Sequence, residues 1–275
     1  MNRGDHFLIG RRAVLSGLAA GTIRQDVLFA QRESQASPDA LEQRIAEVMQ
    51  AYDAQGNHRT GTEVDNASAE WLARQVRRSG ADASLEPFSL NRIDPQSCYL
   101  RIGGRRIEGV PVFDAGFTGA DGLQGKLGPL GSDAEIGLAE SEPVKLGERV
   151  IEQSDQVSKA RRSQHKAIVV LTRGARPGLY LLNASDFLKP FGPPMLQISN
   201  AESAWLKERA AARAEATLVA HVKRTAAQAF NVTAKIAGRN PALKPLVLMA
   251  PRSAWWQCVT EQGAVWPVGW KRFGS

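Results

Sequence analysis

Apolar residues after position 37 recur at the spacing of an α-helix. Ser37 and Pro38 suit the N-cap and the first helical position. The apolar residues that follow share one helical face: Leu41, Ile45, Val48, Met49 and Tyr52. A polar turn over residues 55–62 precedes a second apolar stripe, which ends at Gly80 and carries Trp71, Leu72 and Val76. The pattern predicts two core-facing helices and then a short strand around residues 83–90.

Period-two alternation marks the later part of the chain. Residues 217–223 and 230–237 alternate apolar and polar side chains, as half-buried strands do. The turn Gly238-Arg-Asn-Pro241 leads into a continuous apolar run, Leu246–Met249. We expect three successive strands, of which the last is buried and apolar on both faces. If that last strand stays unpaired, its free backbone groups favour aggregation.

Between these regions, residues 97–214 contain short apolar runs that glycine and proline interrupt. This spacing predicts a β-rich or mixed segment. The run Ala167–Leu171 has the composition of a fully buried strand. Residues 200–213 predict a helix whose apolar face carries Trp205, Leu206 and Ala210. We expect the glycines between Phe117 and Gly131 to lie in loops that connect strands.

Length and composition permit one large domain or two modest ones, because 275 residues with 43% hydrophobic content can bury a substantial core. The formal net charge is +7 and the pI is near 9.7. The basic residues are scattered among 28 acidic ones, so we expect a solvated basic surface and no nucleic-acid partner. Cys98 and Cys258 either pair in an oxidising compartment or remain two buried thiols.

The N-terminal segment has the features of an export signal. Arg11 and Arg12 precede a weakly hydrophobic run that extends to Ile23, an order that resembles a bacterial twin-arginine signal peptide with cleavage after Ala30. The run is about half of the roughly 20 residues that cross a bilayer, so no stable membrane span is expected. We expect the twin-arginine export machinery to recognise Arg11 and Arg12, which makes the mature chain periplasmic or extracellular. An amphipathic N-terminal helix is the alternative.

Several common catalytic motifs do not occur in the sequence. Gly119 and Gly125-Lys126 miss the spacing of a phosphate-binding loop, and Leu127 stands where a hydroxyl would hold magnesium. No Gly-x-Gly-x-x-Gly follows a strand, and no Gly-x-Ser-x-Gly elbow is found. The histidines do not cluster at the spacing of metal ligands: His6, His58, His165 and His221.

The segment from Leu246 to Ala264 resembles a catalytic strand without its chemistry. It is similar to the zinc aminopeptidases and glutamate carboxypeptidases (peptidase clan MH, family M twenty-eight), where an apolar strand ends in Ala-His-x-Asp-Ser and Gly-Ala-x-Asp-Asn follows. The resemblance implies zinc ligands at Pro251 and Ser253, with Glu261 as counterpart of a metal-bridging aspartate. Proline has no donor atom, and a serine hydroxyl is a poor zinc ligand. We therefore predict no catalytic, cofactor-binding or metal-binding residue, and no zinc cofactor.

Other segments carry the same resemblance. Asn231–Gly238 matches the family's Asn-Val-x-Ala-x-Ile-x-Gly entry into the catalytic sheet. The turn with His58 and Arg59 matches its His-x-Arg-x-x-Gly-Thr opening, where these residues either line a substrate cleft or, as we favour, cap and pack the turn. Residues 96–214 resemble the protease-associated domain that many of these peptidases insert before the catalytic sheet.

The resemblance implies an α/β fold: an incomplete aminopeptidase-like sheet that a β-rich, protease-associated-like insert interrupts. The expected segments are a signal peptide (1–30), a partial peptidase-like domain (31–95 and 215–265), the insert (96–214) and an atypical tail (266–275). The family continues for well over a hundred residues more, and the tail contains Pro267 and Gly269, which are poor helix residues. We therefore expect a truncated gene or a frameshift.

The function that we expect is that of an exported, zinc aminopeptidase-like homologue without catalytic activity, because the metal ligands are missing. Three alternatives stay open: a non-catalytic module that binds peptides or cell-wall material, an active hydrolase with a different site, and a gene remnant without a molecular role. Peptides are the expected class of ligand.

Overall fold

Helices pack on one mixed α/β sheet in the part of the chain that the computed structural model describes, residues 38–141 and 155–254 apart from positions 175, 183, 185, 239 and 241. The helices are α1 (Pro38–Asp53), α2 (Glu63–Arg78), α3 (Asp155–Arg161) and α4 (Ser203–Ala211). The strands are β1 (Asp82–Ile102), β2 (Arg105–Glu108), β3 (Val110–Pro111), β4 (Leu123–Pro129), β5 (Ile136–Ser141), β6 (Ala167–Thr172), β7 (Met195–Ile198) and β8 (Glu215–Lys235). Their order in the sheet is β2-β1-β8-β4-β5-β6-β7-β3.

Helices α1 and α2 pack together beside strand β1. Thr62 is the N-cap of α2, and its side chain accepts a hydrogen bond from the backbone N–H of Asp65. Gly80 follows the helix with a φ of +87°, a left-handed conformation that suits glycine. Apolar side chains from both helices and from β1 form one cluster: Tyr52, Leu72, Ala73, Val76 and Ala83. The two helices predicted from the sequence are thus confirmed.

Strands β1 and β8 form a long antiparallel ribbon. Each strand has 21 residues, and they pair from Asp82 opposite Lys235 to Ile102 opposite Ala216. The separate strands predicted at 217–223 and 230–237 are wrong, because residues 224–229 pair with 88–93 and continue a single strand. The partner strand supplies the hydrogen bonds and cross-strand contacts, so this stretch needs no apolar alternation of its own.

Strands β4 to β7 build the parallel part of the sheet. All six residues of β6 are buried, which confirms the buried strand predicted at Ala167–Leu171. Gly119, Gly122 and Gly131 lie between strands as predicted, while Gly125 and Gly128 lie in β4, so the loop prediction is wrong for these two. A Cβ atom on either glycine would come within 2.5 Å of Glu135 or Ser132, respectively. The close approach of these neighbours is the reason for both glycines.

Helix α4 covers the sheet where the sequence predicts a helix over 200–213. A short 3-10 turn at Asn200–Glu202 precedes it. Leu206 and Ala210 are buried against the apolar cluster of the sheet, and Trp205 packs against the same cluster. The predicted apolar face of this helix is confirmed.

The run Leu246–Met249 forms no strand, which contradicts the prediction. Its side chains are 62–90% exposed. The described residues between 236 and 254 contain no helix or strand. An apolar composition is not enough for a strand, because the backbone also needs a neighbouring strand for its hydrogen bonds. No described residue supplies one here.

Some predictions concern residues outside the described ranges. These are the signal segment 1–30, Glu261, Cys258 and the tail 266–275. Within the described ranges, no helix has the length and hydrophobicity that crossing a membrane requires.

Candidate functional site

The turn between α1 and α2 carries a stacked pair of aromatic rings. The rings of Tyr52 and His58 are 3.7 Å apart and nearly parallel, with an interplanar angle of 9°. His58 is only 1% exposed, and its Nε2 lies 3.2 Å from Gln55 Oε1. Burial lowers the pKa of His58 to about 4. The negative charge of Asp65 opposes this shift, and the positive charge of Arg252 adds to it. The imidazole is therefore neutral at pH 7.

Asp65, in the first turn of α2, is fully buried and binds two partners. Its Oδ2 accepts a hydrogen bond of 2.9 Å from the backbone N–H of Gly61. Its Oδ1 accepts one of 2.7 Å from Nη1 of Arg252, whose side chain is 10% exposed. Nη2 of Arg252 also donates to the backbone oxygen of Phe230 in β8, at 3.1 Å. Arg252 thereby joins helix α2 to strand β8.

Three further hydrogen bonds hold residues 251–254, which we name the docked segment, against the same turn. The Tyr52 hydroxyl donates to the backbone oxygen of Arg252 at 2.6 Å. Thr60 Oγ1 donates to Ser253 Oγ at 2.8 Å. The backbone N–H of Ala254 donates to the backbone oxygen of His58 at 3.1 Å. The docked segment thus lies against the turn that contains His58 and Arg59.

Two of the positions that the family resemblance assigns to metal ligands, Pro251 and Ser253, lie in the docked segment. The third, Glu261, lies outside the described residues. The fit to zinc is poor on chemical grounds. Pro251 offers no donor atom, and Ser253 Oγ is engaged by Thr60. The nearby carboxylate of Asp65 already pairs with the cation of Arg252. No group of three His, Cys, Asp or Glu side chains among the described residues could hold a metal ion.

A second polar cluster lies where the turn crosses the β1–β8 ribbon. Arg59 donates to the backbone oxygen of Ile93 and to Asp94 Oδ1. Arg92 Nε donates to the same Oδ1 at 2.8 Å, and Arg92 also donates to the backbone oxygen of Gly61. Burial alone would raise the pKa of Asp94, but hydrogen bonds from Arg92, Thr225 and Arg59 hold that pKa well below its usual range. Arg59 therefore packs the turn, which agrees with the structural interpretation of the sequence.

An open cavity of about 660 Å³ adjoins this cluster. Arg59 and Arg92 line one side of it, and the first residues of α2 line another. Its third wall is strand β8 at Ala226–Gln228. No sequence motif indicates Arg92 or Asp94, because a short alternation of charge in an ordinary strand is their only signal.

His165 and Cys98 lie away from the docked segment. His165 Nε2 accepts a hydrogen bond from Gly131 N at 3.0 Å, and its Nδ1 therefore donates to Ala134 O at 2.6 Å. Cys98 Sγ lies 3.6 Å from the backbone oxygen of His221. Burial raises the pKa of the Cys98 thiol to about 11. These contacts fit structural roles for His165 and Cys98.

The fold resembles that of bacterial zinc aminopeptidases of known structure. Two structures of BSAP, a zinc aminopeptidase from Bacillus subtilis, match with TM-scores of 0.52 and 0.51 at 18% and 20% identity. These matches cover 74% and 70% of this chain, and 48% and 46% of the aminopeptidase chains. The aminopeptidase from Aneurinibacillus sp. strain AM-1 matches with a TM-score of 0.48 at 18% identity, over 72% of this chain and 49% of that one.

The chain spans about half the length of the solved structures that it matches. The likeness concerns the fold, and it confirms the predicted aminopeptidase-like α/β class. No protein-family model matches the sequence, and no curated protein matches it.

Proposed function

We propose that the protein is a non-catalytic homologue of the zinc aminopeptidases that binds peptides without hydrolysing them. One observation carries this proposal: Arg252, which lies in the sequence between the two expected zinc ligands, pairs with the buried Asp65. A guanidinium group at this position repels a divalent cation. It also pairs with the carboxylate of Asp65, which is then not free to bind a metal ion.

The hydroxyl of Ser253 supports the same conclusion. It accepts a hydrogen bond from Thr60 Oγ1, so the docked segment uses this side chain for a contact within the protein. Proline at 251 adds no donor atom. The chemistry of the docked segment therefore supports a structural role and not the binding of a catalytic metal.

Elemental analysis and a peptidase assay on the purified full chain test the absence of catalysis. We expect no stoichiometric zinc after dialysis against a weak chelator, and no release of fluorophore from aminoacyl substrates. The variant Pro251→His/Ser253→Asp should gain neither zinc nor activity, since the nearby carboxylate of Asp65 stays paired with Arg252 and supplies no third ligand. The variant Pro251→Ala/Ser253→Ala is the matched control for loss of the Thr60 contact. One or two zinc ions per wild-type chain, or activity in the first variant, would overturn the proposal.

The cellular location and the segment boundaries form part of the same proposal. A twin-arginine signal at Arg11 and Arg12 would export the folded chain to the periplasm or the outside. A reporter fused after residue 37 should be exported, whereas Arg11→Lys/Arg12→Lys should leave it in the cytoplasm. Residues 96–214 are proposed as an insert because β1 leads into this region and β8 leads out of it.

A further inference from the structure

The backbone of β8 has an outer edge, on the side away from β1. The backbone oxygens of Gln228 and Phe230 accept hydrogen bonds from Asn66 Nδ2 at 3.0 Å and from Arg252 Nη2 at 3.1 Å. Both oxygens therefore point away from β1. Alternate residues of a strand direct their backbone groups to the same side, so the N–H and C=O of Val222, Arg224 and Ala226 also point outward.

The opposite edge of the ribbon, along β1, is protected against an added strand. Pro87 lies opposite Phe230 and Pro95 lies opposite Val222, so both prolines remove a donor from the outer side of β1. Arg59 occupies the backbone oxygen of Ile93 on that same side. Strand β8 contains no proline between Glu215 and Lys235. Its edge lacks this protection.

The exposed part of the β8 edge has defined ends. At one end, Thr118 N donates to Ala220 O at 3.0 Å, and Ala220 N donates to Thr118 Oγ1 at 2.9 Å. At the other end, Asn66 caps Gln228. The isolated parallel bridge between Thr118 and His221 also takes the outward N–H of Val222, and beyond it no described residue forms a strand against the outer edge of β8. At about 3.3 Å per residue, this gap has room for an extended segment of roughly five or six residues.

The charges around the gap are mainly positive. Among the described residues, neither Lys223 nor Arg224 has an ion-pair partner, and both are exposed. The adjoining cavity adds the guanidinium groups of Arg59 and Arg92, which share the carboxylate of Asp94, and one further acid, Glu63. Next to the edge, the small side chains of Ala226 and Ala227 leave space for another backbone. The gap thus combines unpaired backbone groups with a field that attracts acidic side chains.

We propose that an extended acidic peptide from another molecule binds here by adding a strand to the outer edge of β8 between Ala220 and Gln228. Its backbone pairs with the C=O of Val222 and with the outward groups of Arg224 and Ala226. Its acidic side chains lie on the face that carries Lys223 and Arg92, because Arg92 lies opposite Thr225 and alternate residues of a strand share a face. This inference rests on the proposed function, because it names the site and the class of peptide that the protein binds.

Fluorescence anisotropy with a labelled hexapeptide that alternates glutamate and valine tests the site on the full chain. Ala226→Pro removes an outward N–H without removing a hydrogen bond to β1. It should weaken peptide binding by at least about tenfold, because the peptide loses one hydrogen bond and the proline ring clashes with the added strand. The matched control is Asn91→Pro, because Asn91 lies opposite Ala226 and its N–H points to the β1 edge. The control should bind like the wild type.

Equal affinity for both proline variants and the wild type would overturn the location at β8. If either variant fails to fold, hydrogen exchange on the wild type decides the question. Added peptide should then slow the exchange of amides at residues 222–226, and unchanged exchange there overturns the proposal. Lys223→Glu should weaken the binding of the acidic peptide and leave a glutamine–valine peptide unaffected.

The outcomes separate this inference from the proposed function. If the wild type binds neither the acidic nor the glutamine–valine peptide, both ideas fail. If Ala226→Pro does not change the affinity for the peptide, only the location at the β8 edge is refuted, and the peptide-binding function stands. Zinc-dependent hydrolysis together with edge binding refutes only the absence of catalysis. If the wild type self-associates and Ala226→Pro abolishes this, the occupant of the edge is a second copy of the chain. That result would overturn the proposal that a peptide binds there.

Discussion

Arg252 and Asp65 are 187 positions apart in the sequence, yet Arg252 Nη1 lies 2.7 Å from Asp65 Oδ1. The carboxylate is fully buried and the guanidinium nearly so. This ion pair fastens the docked segment to the start of α2, since the neighbouring contacts of Tyr52, His58 and Thr60 depend on the same placement of residues 252–254. Arg252, which lies between two positions that the family resemblance assigns to metal ligands, thus makes a tertiary contact.

Arg252→Met should destabilise the protein by about 3–5 kcal/mol, because it leaves the buried Asp65 carboxylate without its cation. Arg74→Met is the matched control, as Arg74 forms an exposed pair with Glu70 at 3.7 Å and should cost less than about 1 kcal/mol. Urea denaturation monitored by circular dichroism measures both losses. Equal effects of the two substitutions would show that the docked segment is not held by this ion pair.

The local elements of the fold follow from the sequence because their causes are local. Thr62 caps α2, Gly80 follows its end, and the apolar positions Leu72 and Val76 face the core as their spacing predicts. The length of β8 does not follow in this way. Residues 224–229 have no strand pattern of their own, and only their pairing with β1 extends the strand.

The residue types of Pro251 and Ser253 predict that zinc ligands are absent, and this stays a prediction. The pairing of Arg252 with Asp65 is a contact between residues that are far apart in the sequence, and no local pattern predicts it. The edge of β8 is likewise invisible in the sequence, because it depends on which side of the strand is left unpaired.

Stability should fall between pH 6.5 and pH 4 because of His58. Its pKa is lowered in the folded state to about 4, so in this range the unfolded chain binds a proton that the folded chain does not. The stabilisation is therefore present above pH 6.5 and is lost as the pH falls through the window, with a maximum of roughly 3 kcal/mol.

The pH dependence can be assigned to His58 by substitution. His58→Gln should flatten the dependence of unfolding free energy on pH between 4 and 6.5. A wild-type slope in His58→Gln would place the titrating group elsewhere.

Gly61→Ala should destabilise more than Gly80→Ala, although both glycines have a positive φ, +75° and +87°. Left-handed backbone costs alanine about 1–2 kcal/mol at either position. At Gly61 the new Cβ also lies 3.1 Å from Leu90 Cδ2 and 3.2 Å from Ala227 Cβ, whereas nothing lies within 4 Å at Gly80. We expect an additional loss of about 1 kcal/mol at Gly61, measured by chemical denaturation. The same loss in both variants would mean that the turn lies farther from the ribbon.

Leu248→Lys should leave the stability unchanged within about 0.5 kcal/mol, because Leu248 is 62% exposed and lies in no strand. Val169→Lys in β6 is the contrasting variant, and it should prevent folding since Val169 is fully buried. The exposed run Leu246–Met249 should also promote aggregation, so Leu248→Lys should raise the protein concentration at which light scattering begins. If Leu248→Lys instead lowers the unfolding free energy by several kcal/mol, then the run is buried as its apolar pattern predicts. The chain between β8 and Arg252 would then not be exposed to solvent.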